Sequence, residues 1–179
     1  MDFYLEARGG KTVLRLVHSG FGRGPDWDEE YDGIRRGWRA ELRALRHYLE
    51  LHRGTPRLVA WARTATPLPP EEAWKRLLSP QGLLRQGTLA NLREGDRYSI
   101  TAATGDALQG VVQVLAPPKD FSASVENLNN ALFRVLLDKH RGIPEAIIWL
   151  SAYGLPPAEV QAFQARWTEH LRQLFPEAR

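Results

Sequence analysis

Residues 149–174 read WLSAYGLPPAEVQAFQARWTEHLRQL. A β-like run leads to Gly154, and a helix begins at Pro156-Pro157-Ala158-Glu159, because proline fits a first helical turn and an acid stabilises the positive end of the helix dipole. Its apolar residues keep helical spacing and fall within an arc of roughly 80°. They are Val160, Phe163, Trp167, Leu171 and Leu174. The pattern predicts a C-terminal helix with one buried face.

A similar pattern occurs near the start of the chain. The motif WxxxLRxL at 167–174 is also present at 38–45, and SxYG at 151–154 has the counterpart SxFG at 19–22, in each case after a β-like run. Tryptophan is rare and the match extends into the preceding loop, so an internal duplication explains the pattern better than chance spacing in two amphipathic helices.

The duplication divides the chain into a partial unit at 1–53, with two strands and a helix, and a complete domain at 56–179. In the partial unit, Gly9-Gly10 separates candidate strands 3–8 and 11–18, which predicts a hairpin because both glycines accept positive φ. A hairpin and a helix alone leave a strand edge and an apolar face uncovered. The partial unit therefore docks on the same chain, pairs with another chain, or follows a segment missing upstream. We favour a homodimer through 1–53.

The partial unit also contains a long candidate helix with two distinct faces. Five arginines on one face could meet nucleic-acid phosphates, but no aromatic residues interleave with them for base stacking, so a solvated face is favoured. The neighbouring stripe, within roughly 80°, predicts a buried face made by Trp27, Tyr31, Ile34, Trp38, Leu42, Leu45 and Leu49.

The domain at 56–179 begins with a candidate strand at 58–63. A short helix with Trp74 and Leu77 follows the proline-rich stretch 67–70, and a further helical turn surrounds Leu84. Regularly spaced strand candidates then predict an antiparallel meander. They are 87–92, 97–104, 107–116, 120–127, 131–138 and 144–153.

Composition excludes several classes of function. The chain has 179 residues, of which 43% are hydrophobic and 25% charged, so it can bury a core. The absence of cysteine excludes disulfides, thiolate metal sites and cysteine nucleophiles. A net charge of +3 is too balanced to indicate nucleic-acid binding. No apolar run is typical of a signal peptide or a membrane span, so we expect a cytoplasmic protein.

The sequence carries no specific catalytic motif. The glycine-rich loop at 20–25 has Pro25 where a dinucleotide-binding loop needs its third glycine. The five histidines lack the spacing of a zinc site, so we expect no metal and no cofactor. His18, after a strand, could act as an acid or base, but a histidine that bonds the adjacent loop is the favoured interpretation. We therefore predict no catalytic residue.

The order of elements in 56–179 resembles the helix-grip fold of the SRPBCC superfamily, which includes START-like and birch-pollen-allergen-like proteins. The strand that begins at Thr12, the His18-Ser19-Gly20 loop and the Gly37-Trp38 helix resemble the end of domains in the family named for the activator of heat-shock protein 90 ATPase homologue. The second copy departs from this pattern, with Leu150-Ser151-Ala152 and Arg166-Trp167 at the matching positions.

The resemblance implies an α+β fold in which a curved antiparallel sheet wraps around the long C-terminal helix and leaves an apolar cavity. It implies that a START-like domain binds a hydrophobic small molecule or lipid there; the alternatives are a protein-interaction module of the ATPase-activator type and a cyclase- or hydrolase-like enzyme. The candidate ligand-binding residues are Trp61, Trp74, Leu77, Leu84, Tyr98, Phe133, Trp149, Phe163 and Trp167.

Overall fold

The computed structural model describes residues 1–140 and 142–176, apart from the side chains of Asp26 and His140. The chain forms two compact units, Met1–Gly37 and Trp38–Arg179. Within the described ranges, no helix is long and apolar enough to cross a membrane.

The first unit contains the predicted hairpin. Strands β1 (Asp2–Arg8) and β2 (Lys11–Val17) pair antiparallel, and the two glycines of the turn adopt φ values of +56° and +74°. This region is followed by the start of helix α1 (Pro25–Leu51). Phe21 packs its ring edge-on against Tyr31 of the helix, with ring centroids 5.2 Å apart, and so anchors the connecting loop.

The second unit is built on a seven-stranded antiparallel sheet with the strand order β3-β9-β8-β7-β6-β5-β4. This is the predicted α+β architecture, with a long helix α3 after the last strand. The elements are β3 (Arg57–Ala65), α2 (Pro70–Leu77), β4 (Gln86–Gly87), β5 (Arg97–Thr101), β6 (Ala107–Ala116), β7 (Asp120–Val125), a 3-10 turn (Glu126–Leu128), β8 (Ala131–His140), β9 (Ile143–Tyr153) and α3 (Pro157–Leu174).

The prediction of a full strand at 87–92 is wrong. Only Gln86–Gly87 pairs with β5, and the chain then turns. Asn91 adopts a φ of +63°, which lies in the left-handed region and ends an extended strand.

The inner face of the sheet packs against α3. Alternation along β9 points Ile148 and Leu150 inward, where they join Phe163, Trp167 and Leu171 of α3 in one hydrophobic core. These side chains are buried, so the sheet and helix are fixed by apolar packing.

The two central strands β6 and β7 approach each other closely at Gly110. A Cβ at this position would lie 2.2 Å from the Ser124 carbonyl oxygen. The Tyr98 side chain, opposite Gly110 in the ladder, donates its hydroxyl to that same oxygen at 2.9 Å. Only glycine fits between the two backbones here.

The outer face carries buried polar groups. Arg134 of β8 makes two hydrogen bonds to Asp120 of β7, at 3.1 and 2.6 Å, and the Asp120 side chain is almost fully buried. A buried carboxylate needs such a partner to offset its desolvation. Arg134 also lies 3.9 Å from Glu41 of α1.

Residues 38–51 of α1 contact this outer face. Arg39 and Arg43 both bond the Glu94 carboxylate, at 2.6 and 3.1 Å. Ala40 is buried at the contact, whereas Leu45 and Leu49 are exposed.

The predicted buried face of α1 is therefore only partly formed in this half of the helix: Trp38 and Leu42 are half-buried, whereas the prediction is wrong for Leu45 and Leu49. The small side chain of Ala40, with the half-buried Ala44, lets the backbone approach the strands, and a polar residue, His47, completes the contact. Trp27 and Tyr31, in the other half, are also exposed. Apolar periodicity alone did not identify Ala40 and His47, because the contact also uses small and polar residues.

Two histidines attach the end of α1 to the turn before β8. The Nε2 atoms of His47 and His52 lie 2.7 and 3.1 Å from one acceptor, the Asn130 carbonyl oxygen. Both nitrogens therefore carry a proton, since a carbonyl only accepts. The His52 ring stacks on Tyr153 at 4.1 Å, and both histidines are buried.

We expect Gly110→Ala to lower the free energy of unfolding by about 1–3 kcal/mol or more, because the added methyl forces two strand backbones apart. Urea denaturation measures the change. Gly37→Ala on α1 is the matched control: its methyl meets no heavy atom within 4 Å, and the substitution should raise stability by up to about 1 kcal/mol. Equal effects of the two substitutions would contradict the close approach of β6 and β7.

We expect the free energy of unfolding to fall as the pH drops below the ordinary histidine pKa of 6.5. Burial lowers the pKa of His47; the nearby His52 lowers it further, while the Asn130 hydrogen bond and Glu50 oppose the shift. The unfolded chain thus takes up a proton at a pH where the folded chain does not, so stability is complete above 6.5 and is lost as the pH falls through the lower folded pKa.

Urea unfolding between pH 7.5 and 5 measures this dependence. His47→Gln keeps an amide donor for Asn130 but cannot titrate, so its stability should vary less with pH. His18→Gln, at an exposed position of the first unit, is the matched control for the substitution of histidine by glutamine. A wild-type slope in His47→Gln would assign the pH dependence to other groups.

Candidate functional site

The inner side of the sheet holds seven of the nine predicted ligand-binding residues. All seven belong to the hydrophobic core or pack against it. They come from α2, the segment after it, β5, β8 and α3: Trp74, Leu77, Leu84, Tyr98, Phe133, Phe163 and Trp167.

Three aromatic rings form the centre of this group. Phe133 of β8 meets Phe163 edge-on at 6.3 Å and Trp167 at 5.9 Å, and the two α3 rings are 6.0 Å apart. These spacings are typical of favourable aromatic pairs. We call Phe133, Phe163 and Trp167 the aromatic cluster; its rings lie between α3 and the sheet.

The aromatic cluster contains an unmatched hydrogen-bond donor. Trp167 is 1% exposed, and its indole Nε1 has no hydrogen-bond partner among the described residues. Its neighbour His170, whose ring is 5.8 Å away, has a buried Nε2 that is also without a partner in this part of the chain. A buried donor left unbonded costs about 1–3 kcal/mol. A molecule that brings an acceptor to Trp167 Nε1 would therefore make a hydrogen bond that the described residues do not supply.

His170 was not among the predicted residues. It follows Trp167 by three positions, which places both on one side of the helix. That spacing was visible in the sequence, but it did not show that both nitrogens would be buried and unbonded.

Tyr98 has a structural role. Its hydroxyl is held by the Ser124 carbonyl oxygen, and its ring meets Phe121 edge-on at 5.9 Å. Burial raises the pKa of this phenol, and Glu126 adds to the increase. Tyr98 therefore stays protonated at neutral pH and cannot serve as a base.

Trp61 and Trp149 lie on the outer face, away from the other seven residues. They are direct partners in the β3–β9 ladder, with rings 5.6 Å apart. Trp61 is 45% exposed, and the Arg63 guanidinium lies over its ring at 4.9 Å. Because side chains alternate along a strand, residues 60 and 62 face inward when 61 faces outward.

The described residues contain no group of three or more His, Asp or Glu side chains that could hold a metal. His18 belongs to the first unit, where its ring lies 5.1 Å from that of Phe21.

No protein-family model matches this sequence. No curated protein matches it either.

Solved structures do resemble it in fold. The Aha1 dimer from Colwellia psychrerythraea matches with a TM-score of 0.53 and 13% identity, covering 66% of this chain and 93% of that chain. A Staphylococcus saprophyticus protein matches with a TM-score of 0.50 and 9% identity, covering 66% and 89%. The AHSA1-like protein from Aeromonas hydrophila gives 0.48 and 13%, covering 65% and 91%.

At these identities the likeness concerns the fold alone. The antiparallel sheet and the long C-terminal helix of this chain thus share the fold of the first two of these structures, whose TM-scores reach 0.50 or more. The chain therefore has the predicted helix-grip fold, which it shares with the Aha1 dimer structure.

Proposed function

We propose that the second unit binds a hydrophobic small molecule or lipid between α3 and the inner face of the sheet. The observation that carries this proposal is the buried, unbonded indole N–H of Trp167 inside an otherwise apolar environment. The ligand has a largely apolar body, which contacts the aromatic cluster, and an acceptor oxygen, which bonds Trp167.

The residues of the site favour a ligand that carries no charge where it contacts them. The core residues around α3 are aliphatic or aromatic, so an ionised group there would lose its hydration without gaining a counter-ion. A carbonyl, ester or hydroxyl oxygen can accept from Trp167 at much lower cost. We propose that the protein acts in the cytoplasm by binding this ligand and does not catalyse a reaction on it.

A protein-interaction module is the second candidate, and the exposed Trp61 favours it. Large aromatic residues and arginine are enriched at the energetic centres of protein interfaces. Trp61, with Arg63 above its ring and the exposed Val59 on the same strand, offers such a surface.

We also propose that residues 1–53 are a partial START-like unit and that residues 56–179 are a complete one. Phe3 and Leu5 of its hairpin are 53% and 73% exposed, which agrees with a homodimer contact through this segment. Analytical ultracentrifugation at micromolar concentration should show a dimer; a monomer would contradict this assembly.

Native mass spectrometry of the protein purified from its own cells tests ligand binding. We expect a retained small-molecule mass in the wild type and its loss, or a clear decrease, in Trp167→Phe, which keeps a ring but removes the donor. Trp149→Phe is the matched control on the outer face and should retain the ligand. Urea unfolding confirms that both variants fold.

Equal retention by Trp167→Phe would contradict the role of the indole N–H. A clean unliganded mass in the wild type, together with a co-purifying protein, would support the interaction module instead. Loss of that partner in Trp61→Ala would then place it on the outer face.

A further inference from the structure

A cleft on the outer side of the second unit lies apart from the aromatic cluster. Its volume is about 420 Å³, within the range of roughly 300–1,000 Å³ that is usual for small-molecule sites. One wall is α1, with Glu41, Leu45 and Tyr48; the others are Arg57, at the start of β3, and Tyr153, at the end of β9. We call it the outer cleft.

The outer cleft has one charge of each sign. Arg57 makes no ion pair or side-chain hydrogen bond with any other described residue, and Glu41 has only the long 3.9 Å contact to Arg134. The two groups line the same space but do not pair with each other within 4.0 Å. A bound molecule could satisfy both charges where the protein does not.

Two phenols line the same cleft as these charges. The rings of Tyr48 and Tyr153 are 5.8 Å apart, and Tyr153 is 1% exposed although it lines the cleft. Burial raises the pKa of Tyr153, while Arg57 lowers it and Glu41 raises it, so both charges act on this one ring. Tyr153 therefore keeps its proton at neutral pH. Its hydroxyl has no hydrogen bond to another described residue and can donate to a ligand.

A second, smaller space of about 30 Å³ shares Glu41, Ala44 and Arg57 with the outer cleft. It is also lined by Ser122 and Ser151, two buried hydroxyl side chains of the outer face. The two spaces thus meet beside Arg57 and Glu41, whereas Leu45 lines only the outer cleft.

We propose that the outer cleft binds a small zwitterion with an aromatic body, in chemical class an aromatic amino acid. Its carboxylate pairs with Arg57, its ammonium with Glu41, and its ring packs between Leu45 and the tyrosines. Arginine suits this task because its planar guanidinium bonds a carboxylate through two parallel donors. The site is independent of the ligand site proposed under α3.

Isothermal titration calorimetry with three probes tests this assignment: L-phenylalanine, 3-phenylpropionate, which lacks the ammonium, and 2-phenylethylamine, which lacks the carboxylate. We expect saturable binding of L-phenylalanine, and roughly tenfold weaker binding of each analogue, since each loses one charge-assisted contact.

Two variants separate the charges. Arg57→Gln should weaken L-phenylalanine roughly tenfold and remove its advantage over 2-phenylethylamine. Glu41→Gln should remove its advantage over 3-phenylpropionate. Arg53→Gln is the matched control, because this exposed arginine does not line the outer cleft, and it should bind like the wild type. Trp167→Phe should also bind like the wild type, which distinguishes this site from the one under α3.

Absence of saturable heat with L-phenylalanine would overturn the proposal. Equal affinity for 3-phenylpropionate in the wild type would show that Glu41 takes no part, and an equal loss in Arg53→Gln would show that the contact is non-specific. Either result would refute a zwitterion site.

Discussion

The strict alternation of side chains along β8 and β9 determines which residues pack against α3 and which pack against α1. Phe133 and Leu150 face α3, while Arg134 and Ser151 face α1. Because both faces are covered, the two strands contribute to an apolar core on one side and to a polar, hydrogen-bonded layer on the other. A shift of one residue in their pairing would exchange these two environments and leave a charged arginine in the core.

The sequence predicts the inner half of this arrangement well. Trp167 and its apolar neighbours keep the spacing of a helix with one buried face, and the strand series before it indicates an antiparallel sheet. The hairpin at Gly9-Gly10 follows from the backbone freedom of glycine. In each case a local rule and the final packing require the same residue types.

The outer half could not be predicted in the same way. Its contacts depend on Ala40, on a histidine pair and on a buried ion pair, none of which produces an apolar period. The separation of Trp61 from the aromatic cluster has a related cause: strand register decides the face, and register is set by pairing partners distant in the chain. The unbonded state of Trp167 Nε1 depends on all the surrounding side chains together.

The edges of the large sheet are short or blocked. At one edge β4 has only two residues, and at the other the Trp61 backbone N–H of β3 donates to Gln164 of α3 at 2.9 Å. An incoming strand would have to displace this glutamine before it could extend the ladder there. The side chain of Gln164 thus hinders fibril-like pairing of domains through this edge. An exposed tryptophan can therefore lie on an edge strand without promoting polymerisation.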